Sequence, residues 1–230
     1  MGIAMIVFEF IVLIFSAILH EVAHGFEALH LGDDTAEKAG RLTLNPLKHL
    51  DPYLSIGMPI LLFITTGFFF AGAKPVPYNP NNLKNPRTGA VKVAFAGPIT
   101  NLLIALFFGI LSVLIPISAA VKNNLWNAIA GGGAVSAFAS PLEGLFFFFL
   151  IIVYINILLG VFNLVPIPPL DGSKVLFLIL PPTQTTYRVM YFLERWGLIL
   201  VLAFVFFGYS LIFPVINAIF AVFTGHMWGL

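Results

Sequence analysis

Four stretches of this sequence carry no charged residue and are each long enough to cross a bilayer: Pro52–Ala73, Val93–Val121, Gly144–Leu170 and Trp196–Gly225. A spanning helix needs about 20 mostly apolar residues. A further segment, Gly2–Leu19, is apolar apart from Glu9. Only 9% of the 230 residues are charged, against about 25% in soluble domains. A water-soluble globule is therefore excluded, and the chain reads as an integral membrane protein. Periodicity does not separate helix from strand in runs this apolar, but length favours helix for most of them. Pro52–Ala73 is the exception, because Gly57, Pro59 and its Thr and Phe clusters suit extended structure as well. The expected fold is an all-α membrane protein, a polytopic helical bundle of about four transmembrane helices with one re-entrant or irregular membrane segment. One membrane-embedded domain over 1–230 is the simplest organisation, with a core of about 1–180 and an additional C-terminal helix over about 188–225.

The composition excludes other classes. A formal net charge of +1 without a basic patch gives no case for nucleic acid. The absence of cysteine removes disulfides, thiolate nucleophiles and thiolate metal ligands, so any metal must be held by His, Asp or Glu. The first segment lacks a basic leader and an obvious cleavage site and is expected to be retained. The polar residues are concentrated in connectors. Gly25–Asp51 holds many of the charges, Lys74–Arg87 is rich in Pro and Asn and reads as irregular loop, and Lys122–Gly133 reads as a third connector.

The first apolar segment ends in His20-Glu21-Val22-Ala23-His24, a match to H-E-x-x-H. On a helix, positions i and i+4 share a face, so both imidazoles can reach one zinc ion while Glu21 sits beside the open coordination position. Zinc lowers the pKa of a bound water towards about 7, and a neighbouring carboxylate can take its proton during attack on a carbonyl. Three ionisable groups within five residues at the end of an apolar segment are costly in a membrane, which favours function over a satisfied polar patch. Two histidines leave a catalytic zinc one protein ligand short. Asp171 follows a long uncharged run and a proline cluster, in the sequence NLVPIPPLDG over Asn163–Gly172. By itself, Asp171 could equally cap a short helix that begins there.

HEVAH in an apolar first segment, AGPITN at Ala96–Asn101 and NLVPIPPLDG at Asn163–Gly172 together resemble the site-2 protease family of intramembrane zinc metalloproteases. The intervening GDDTAEKAGRLTLNPLKHLDP and AKPVPYNP are similar to its bacterial branch without PDZ domains. The resemblance covers about residues 10–180, with no departure at the key positions. It implies a single catalytic Zn2+, Asp171 as third ligand and Asn163 as a residue of the active site and substrate. The alternative for Asn163 is an interhelical hydrogen bond. Gly97, Asn101 and Gly172 are expected to give structural support. The implied substrates are transmembrane or membrane-tethered proteins, cut for regulated release or for clearance of remnant peptides. The Pro- and Asn-rich stretch around Pro75–Pro80 could pair with an unwound substrate strand. A transporter or metal permease using the His and Asp groups as an ion relay is the rival class, and a catalytically dead scaffold a third.

The three ligands must share one membrane depth. If every apolar run spanned, Asp171 would emerge opposite the His pair, so Pro52–Ala73 is expected to dip in and return. The side bearing the site then carries Lys38, Arg41, Lys48, Lys74, Lys84, Arg87, Lys92, Lys174, Arg188 and Arg195, against Lys122 alone opposite. The positive-inside rule makes it cytoplasmic, in a membrane expected to be the bacterial plasma membrane. Trp196–Gly225 fits one tilted helix or a hairpin. Glu9 is too far along the helix from His20 to be a ligand and suits either a polar contact within the bundle or the outer interface. Glu143 is expected at an interface, and His30, His49 and His226 are expected to be solvated.

Overall fold

The computed structural model describes residues 3–50, Gly57, 74–131, 138–181 and 183–226. The chain runs through α1 (Ile3–His30), α2 (Thr35–Lys38), α3 (Pro86–Val113), α4 (Ala119–Ala130), α5 (Pro141–Asn163), α6 (Ser173–Ile179), α7 (Gln184–Arg195), α8 (Gly197–Ala203), a π-helical turn at Phe204–Gly208 and α9 (Tyr209–Phe223). No strand occurs among the described residues. α1, α3 and α5 are each long and apolar enough to cross a membrane. The fold is all-helical, as the length of the apolar runs predicts.

Local signals set the helix starts. Asn85 accepts the Thr88 N–H, with Pro86 at the first helical position of α3. Ser140 accepts the Glu143 N–H, and the Glu143 carboxylate reaches back to the Ala139 N–H. These caps satisfy donors that no lipid could.

α3 packs most extensively on α5 and α1. Small residues allow the approach: a Cβ on Gly160 would lie 3.1 Å from Leu102 Cγ and 3.2 Å from the Pro98 carbonyl. Phe146, Leu150, Val153 and Ile157 of α5 are buried with Ile216 and Phe220 of α9. Ile6, Val7, Ile11 and Phe15 of α1 and Leu103, Phe107 and Ile110 of α3 point outwards and are exposed. An apolar exterior of that extent fits a lipid surround.

The helix ends define two poles. At one, the Lys84 N–H donates to the Leu31 carbonyl, and the Arg87 guanidinium donates to the carbonyls of Leu178 and Leu180, which ties the start of α3 to the end of α6. At the other, Lys122 of α4 donates to the Val113 carbonyl at the end of α3, and Trp126 Nε1 donates to Thr224 just beyond α9. The stretch expected as a connector at Lys122–Gly133 thus contains most of a helix, which covers the second pole. α8 starts at the first pole, where Gly197 rests on the Pro168 carbonyl, and α9 ends at the second, where Phe223 abuts Gly109. The C-terminal stretch therefore passes from pole to pole once, which decides against the hairpin. It is bent by 66° against α7 and interrupted by the π turn.

The interior of Pro52–Ala73 lies outside the described residues. Its flanks are informative, because the Lys74 N–H donates to the His49 carbonyl at 2.8 Å. The chain leaves and returns at one place, on the first pole. That is the condition needed for the His pair and Asp171 to meet. His49 itself departs from expectation: its side chain is buried, with Nε2 2.7 Å from the Thr43 carbonyl. His226 stacks on Trp126 with ring centroids 4.0 Å apart.

Candidate active site

His20 and His24 lie one turn apart on the inner face of α1, both buried. Each ring has one nitrogen committed to a fixed acceptor. His20 Nδ1 lies 2.6 Å from Asn101 Oδ1, and His24 Nδ1 lies 2.6 Å from the Val93 carbonyl. Both acceptors belong to α3. A carbonyl can only accept, so His24 Nδ1 carries a proton, and in the neutral ring that ligates a metal Nε2 presents the lone pair. Asn101 Nδ2 is already spent on Asn156 Oδ1 at 2.8 Å and on the Ser16 carbonyl at 3.3 Å. Its Oδ1 is thereby turned to His20, which fixes the same tautomer there. Asn156 is held in turn by Ser16 Oγ and the Ile152 carbonyl, both at 2.9 Å. A closed polar layer of Ser16, Asn101 and Asn156 thus underlies the His pair in the apolar bundle.

Both Nε2 atoms face the Asp171 carboxylate, at 2.9 Å for His20 and 3.3 Å for His24. The three donors lie within 4.8 Å of one another, compact enough to hold one metal ion. Two neutral imidazoles and a carboxylate are the donor set expected of a catalytic zinc site in a protein without cysteine. Asp171 reaches this point through the turn after α5. The Gly172 N–H donates to the Asn163 carbonyl at 2.7 Å, and buried Ser173 closes on the Leu170 carbonyl. A Cβ on Gly172 would collide with the backbone of Leu164 and Val165, so the turn needs glycine. The capping alternative for Asp171 fails: α6 has no side-chain cap, and the carboxylate turns to the histidines instead.

Gly97 abuts both imidazoles. A Cβ there would stand 2.5 Å from His20 Nε2 and 2.6 Å from His24 Nε2. Its missing side chain leaves room beside both Nε2 atoms. Asn163, in contrast, donates its side-chain amide to the Leu159 carbonyl of its own helix.

Glu21 accepts the Val76 N–H on Oε2 at 2.8 Å. Residues 74–79 run as irregular chain across α1, held at both ends. Arg41 donates to the Lys74 carbonyl at 2.7 Å, and Asp33 accepts the Asn79 N–H at 2.6 Å and the Asn82 side chain at 2.8 Å. Burial works against the Asp33 charge, but these donors and Thr35 outweigh it and hold the carboxyl below its ordinary range. Gly25 makes room for the segment, because a Cβ there would lie 2.9 Å from Val76.

The chain matches the model of peptidase family M50 over residues 8–207. The chain belongs to peptidase family M50, the site-2 proteases. It is 38% identical over 210 residues to "Putative zinc metalloprotease YwhC" of Bacillus subtilis, covering 90% of this chain and 85% of that one. It is 33% identical over 187 residues to "Putative zinc metalloprotease Rip2" of Mycolicibacterium smegmatis, covering 81% of this chain and 61% of that one. The protein of the same name in Mycobacterium tuberculosis is 30% identical over 163 residues, 52% of its length, so the chain spans only part of these mycobacterial relatives. No solved structure matches. As an M50 member the protein is a zinc metalloprotease of the site-2 type, and its apolar helices make it an integral membrane protein.

Sequence reasoning had placed Asn101 in helix packing, and its contact with His20 is more specific. Asn156 was missed, although a lone amide in an apolar run is the kind of signal that marks a buried partner. Ser16 stands four residues before His20 and so shares its face. The carbonyl of Val93 and the amide of Val76 are backbone groups and leave no trace in residue identity.

Proposed function

We propose that this M50 protease hydrolyses peptide bonds within or next to transmembrane segments of membrane proteins. In this reading His20 Nε2, His24 Nε2 and Asp171 hold the metal and Glu21 is the general base. The observation that carries it is the pair of histidines each held at Nδ1 by a fixed acceptor, with both Nε2 atoms converging on the Asp171 carboxylate beside Gly97. Zinc held there by His20, His24 and Asp171 would supply Lewis acidity to acidify a water and polarise a carbonyl. Glu21 receives the proton of the attacking water and returns it to the leaving amine. The Val76 N–H occupies Oε2 of Glu21 and so aims the carboxylate, leaving Oε1 for the proton.

A substrate helix must unwind before its carbonyl is open to attack. Residues 75–78 offer a strand to receive it. Pro75 and Pro77 have no N–H, and that of Val76 is taken by Glu21, so the segment presents mainly carbonyl acceptors to an incoming chain. Asn163 is assigned to the substrate side on the family resemblance. The charge asymmetry supports a site at the cytoplasmic face of a multi-pass protein in the bacterial plasma membrane. The chain has no cysteine, so single cysteines at Asn81 and Asn124 report its orientation directly. They should react with impermeant reagents from opposite faces, and reaction from one face would overturn the topology.

Membrane proteomes of cells carrying wild-type or Glu21→Gln protein test the reaction and name the substrates. Membrane-tethered fragments should accumulate only with the variant, and identical profiles would sink the proposal. The polar layer makes a separate prediction. Asn101→Leu takes the acceptor from His20 Nδ1 and should weaken zinc binding by roughly 10- to 100-fold in a chelator competition. An unchanged affinity would remove Asn101 from the site.

A further inference from the structure

α7 differs in kind from the helices around it. It is strongly amphipathic and is bent by 66° from the apolar helix that follows. Its residues sort into three faces at about 100° per residue. Met190 is buried against the protein, and Glu194 on the same side meets Lys174 of α6 at 3.9 Å. Val189, Phe192 and Trp196 form a second, exposed apolar face. Arg188 and Arg195, seven residues apart, flank that face, are exposed, and make no hydrogen bond or ion pair among the described residues.

A protein face, an apolar face and a cationic edge, in that angular order, are what a helix in the membrane interface requires. The axis of α8 fixes the direction of the bilayer. α7 lies across it at the pole where the His pair and Asp171 meet, so its apolar face is at the depth where acyl chains begin. The two guanidiniums then stand at the level of the lipid phosphates, for which their fork geometry is suited. Beneath the elbow, Leu193, Leu200, Phe204 and Phe207 line a cleft of about 460 Å³ against Pro166 and Pro168. The cleft is apolar and open, a fit for an acyl chain below a bound headgroup.

We propose that α7 is a binding site for anionic phospholipid, with Arg188 and Arg195 on the headgroup phosphate and the α7–α8 cleft on the acyl chain. The site adjoins the catalytic turn. Gly197, at the elbow, rests on the carbonyl of Pro168, three residues before Asp171, so a lipid that holds the elbow also steadies that turn.

The test needs no substrate and no metal. A fluorophore on Val189→Cys, a unique thiol in this chain, reports quenching by nitroxide-labelled phosphatidylglycerol or phosphatidylcholine at equal fractions in vesicles holding the full-length protein. Local enrichment of the anionic lipid should be on the order of tenfold, falling with added salt. R188Q/R195Q should abolish the preference, while R188K/R195K should keep most of it and shows that the fold survives substitution. Equal quenching by the two lipids, or a preference that persists in R188Q/R195Q, would overturn the site. Absence of quenching by either lipid would overturn the interfacial placement.

Discussion

Glu21→Gln is expected to lower the cleavage rate by roughly a hundred- to ten-thousand-fold, the range supplied by a general base, while the protein keeps its full complement of zinc. Glutamine preserves what the carboxylate does structurally, because its carbonyl oxygen can still accept the Val76 N–H. It cannot take a proton from water. Loss of rate without loss of metal therefore isolates the proton transfer, whereas Glu21→Ala would also release the segment at 74–79. Zinc content by elemental analysis and cleavage of a reconstituted transmembrane substrate are the two measurements. Cleavage at the wild-type rate would remove Glu21 from the chemistry, and a variant that still conducts ions or metal but never cleaved anything would favour the transporter reading.

The second large effect concerns a residue with no side chain. Gly97→Ala puts a methyl carbon within 2.6 Å of the Nε2 atoms of His20 and His24. Real Cβ atoms do not approach that closely, so either α3 moves away from α1 or the imidazoles turn. Both outcomes break the fixed contacts of the rings with Asn101 and Val93. The expected result is near-complete loss of bound zinc and of activity. Gly160→Ala is the milder comparison, since its Cβ would meet Leu102 Cγ at 3.1 Å and the Pro98 carbonyl at 3.2 Å rather than the imidazoles. It should cost stability, about 1–3 kcal/mol for an overpacked interface, but leave the zinc stoichiometry unchanged. Equal metal loss in both variants would mean that general packing, not space at the site, is what Gly97 supplies.

Much of this site was legible in the residues themselves. The spacing of His20 and His24 carries its own geometry, because four residues make about one helical turn. The need for a third ligand at the same depth, combined with alternating spans, demanded that Pro52–Ala73 begin and end on one side. The bond between Lys74 and His49 meets that demand at the flanks. What the residues did not disclose is how the helices face one another. Asn101 and Asn156 are both amides in apolar runs, and only the crossing of α3 with α5 joins them beneath His20. The aim of Glu21 and His24 depends on backbone groups, whose identity is the same at every position. α4 was hidden for a different reason: its polar residues resemble a connector, and its cap at Ser118 becomes meaningful only once it covers the second pole.

The clasp between His49 and Lys74 also sets how such a protein can diversify. His49 and Lys74 are stitched together, and Val76 follows just two positions beyond the stitch. Closure between two clasped residues costs only about 0.6 kcal/mol more for each doubling of the chain length between them. Length changes between His49 and Lys74 therefore carry a small closure cost and leave the Val76 amide in place beside Glu21. The contacts on α1, α3 and the turn after α5 can thus be inherited intact while the sequence between His49 and Lys74 changes.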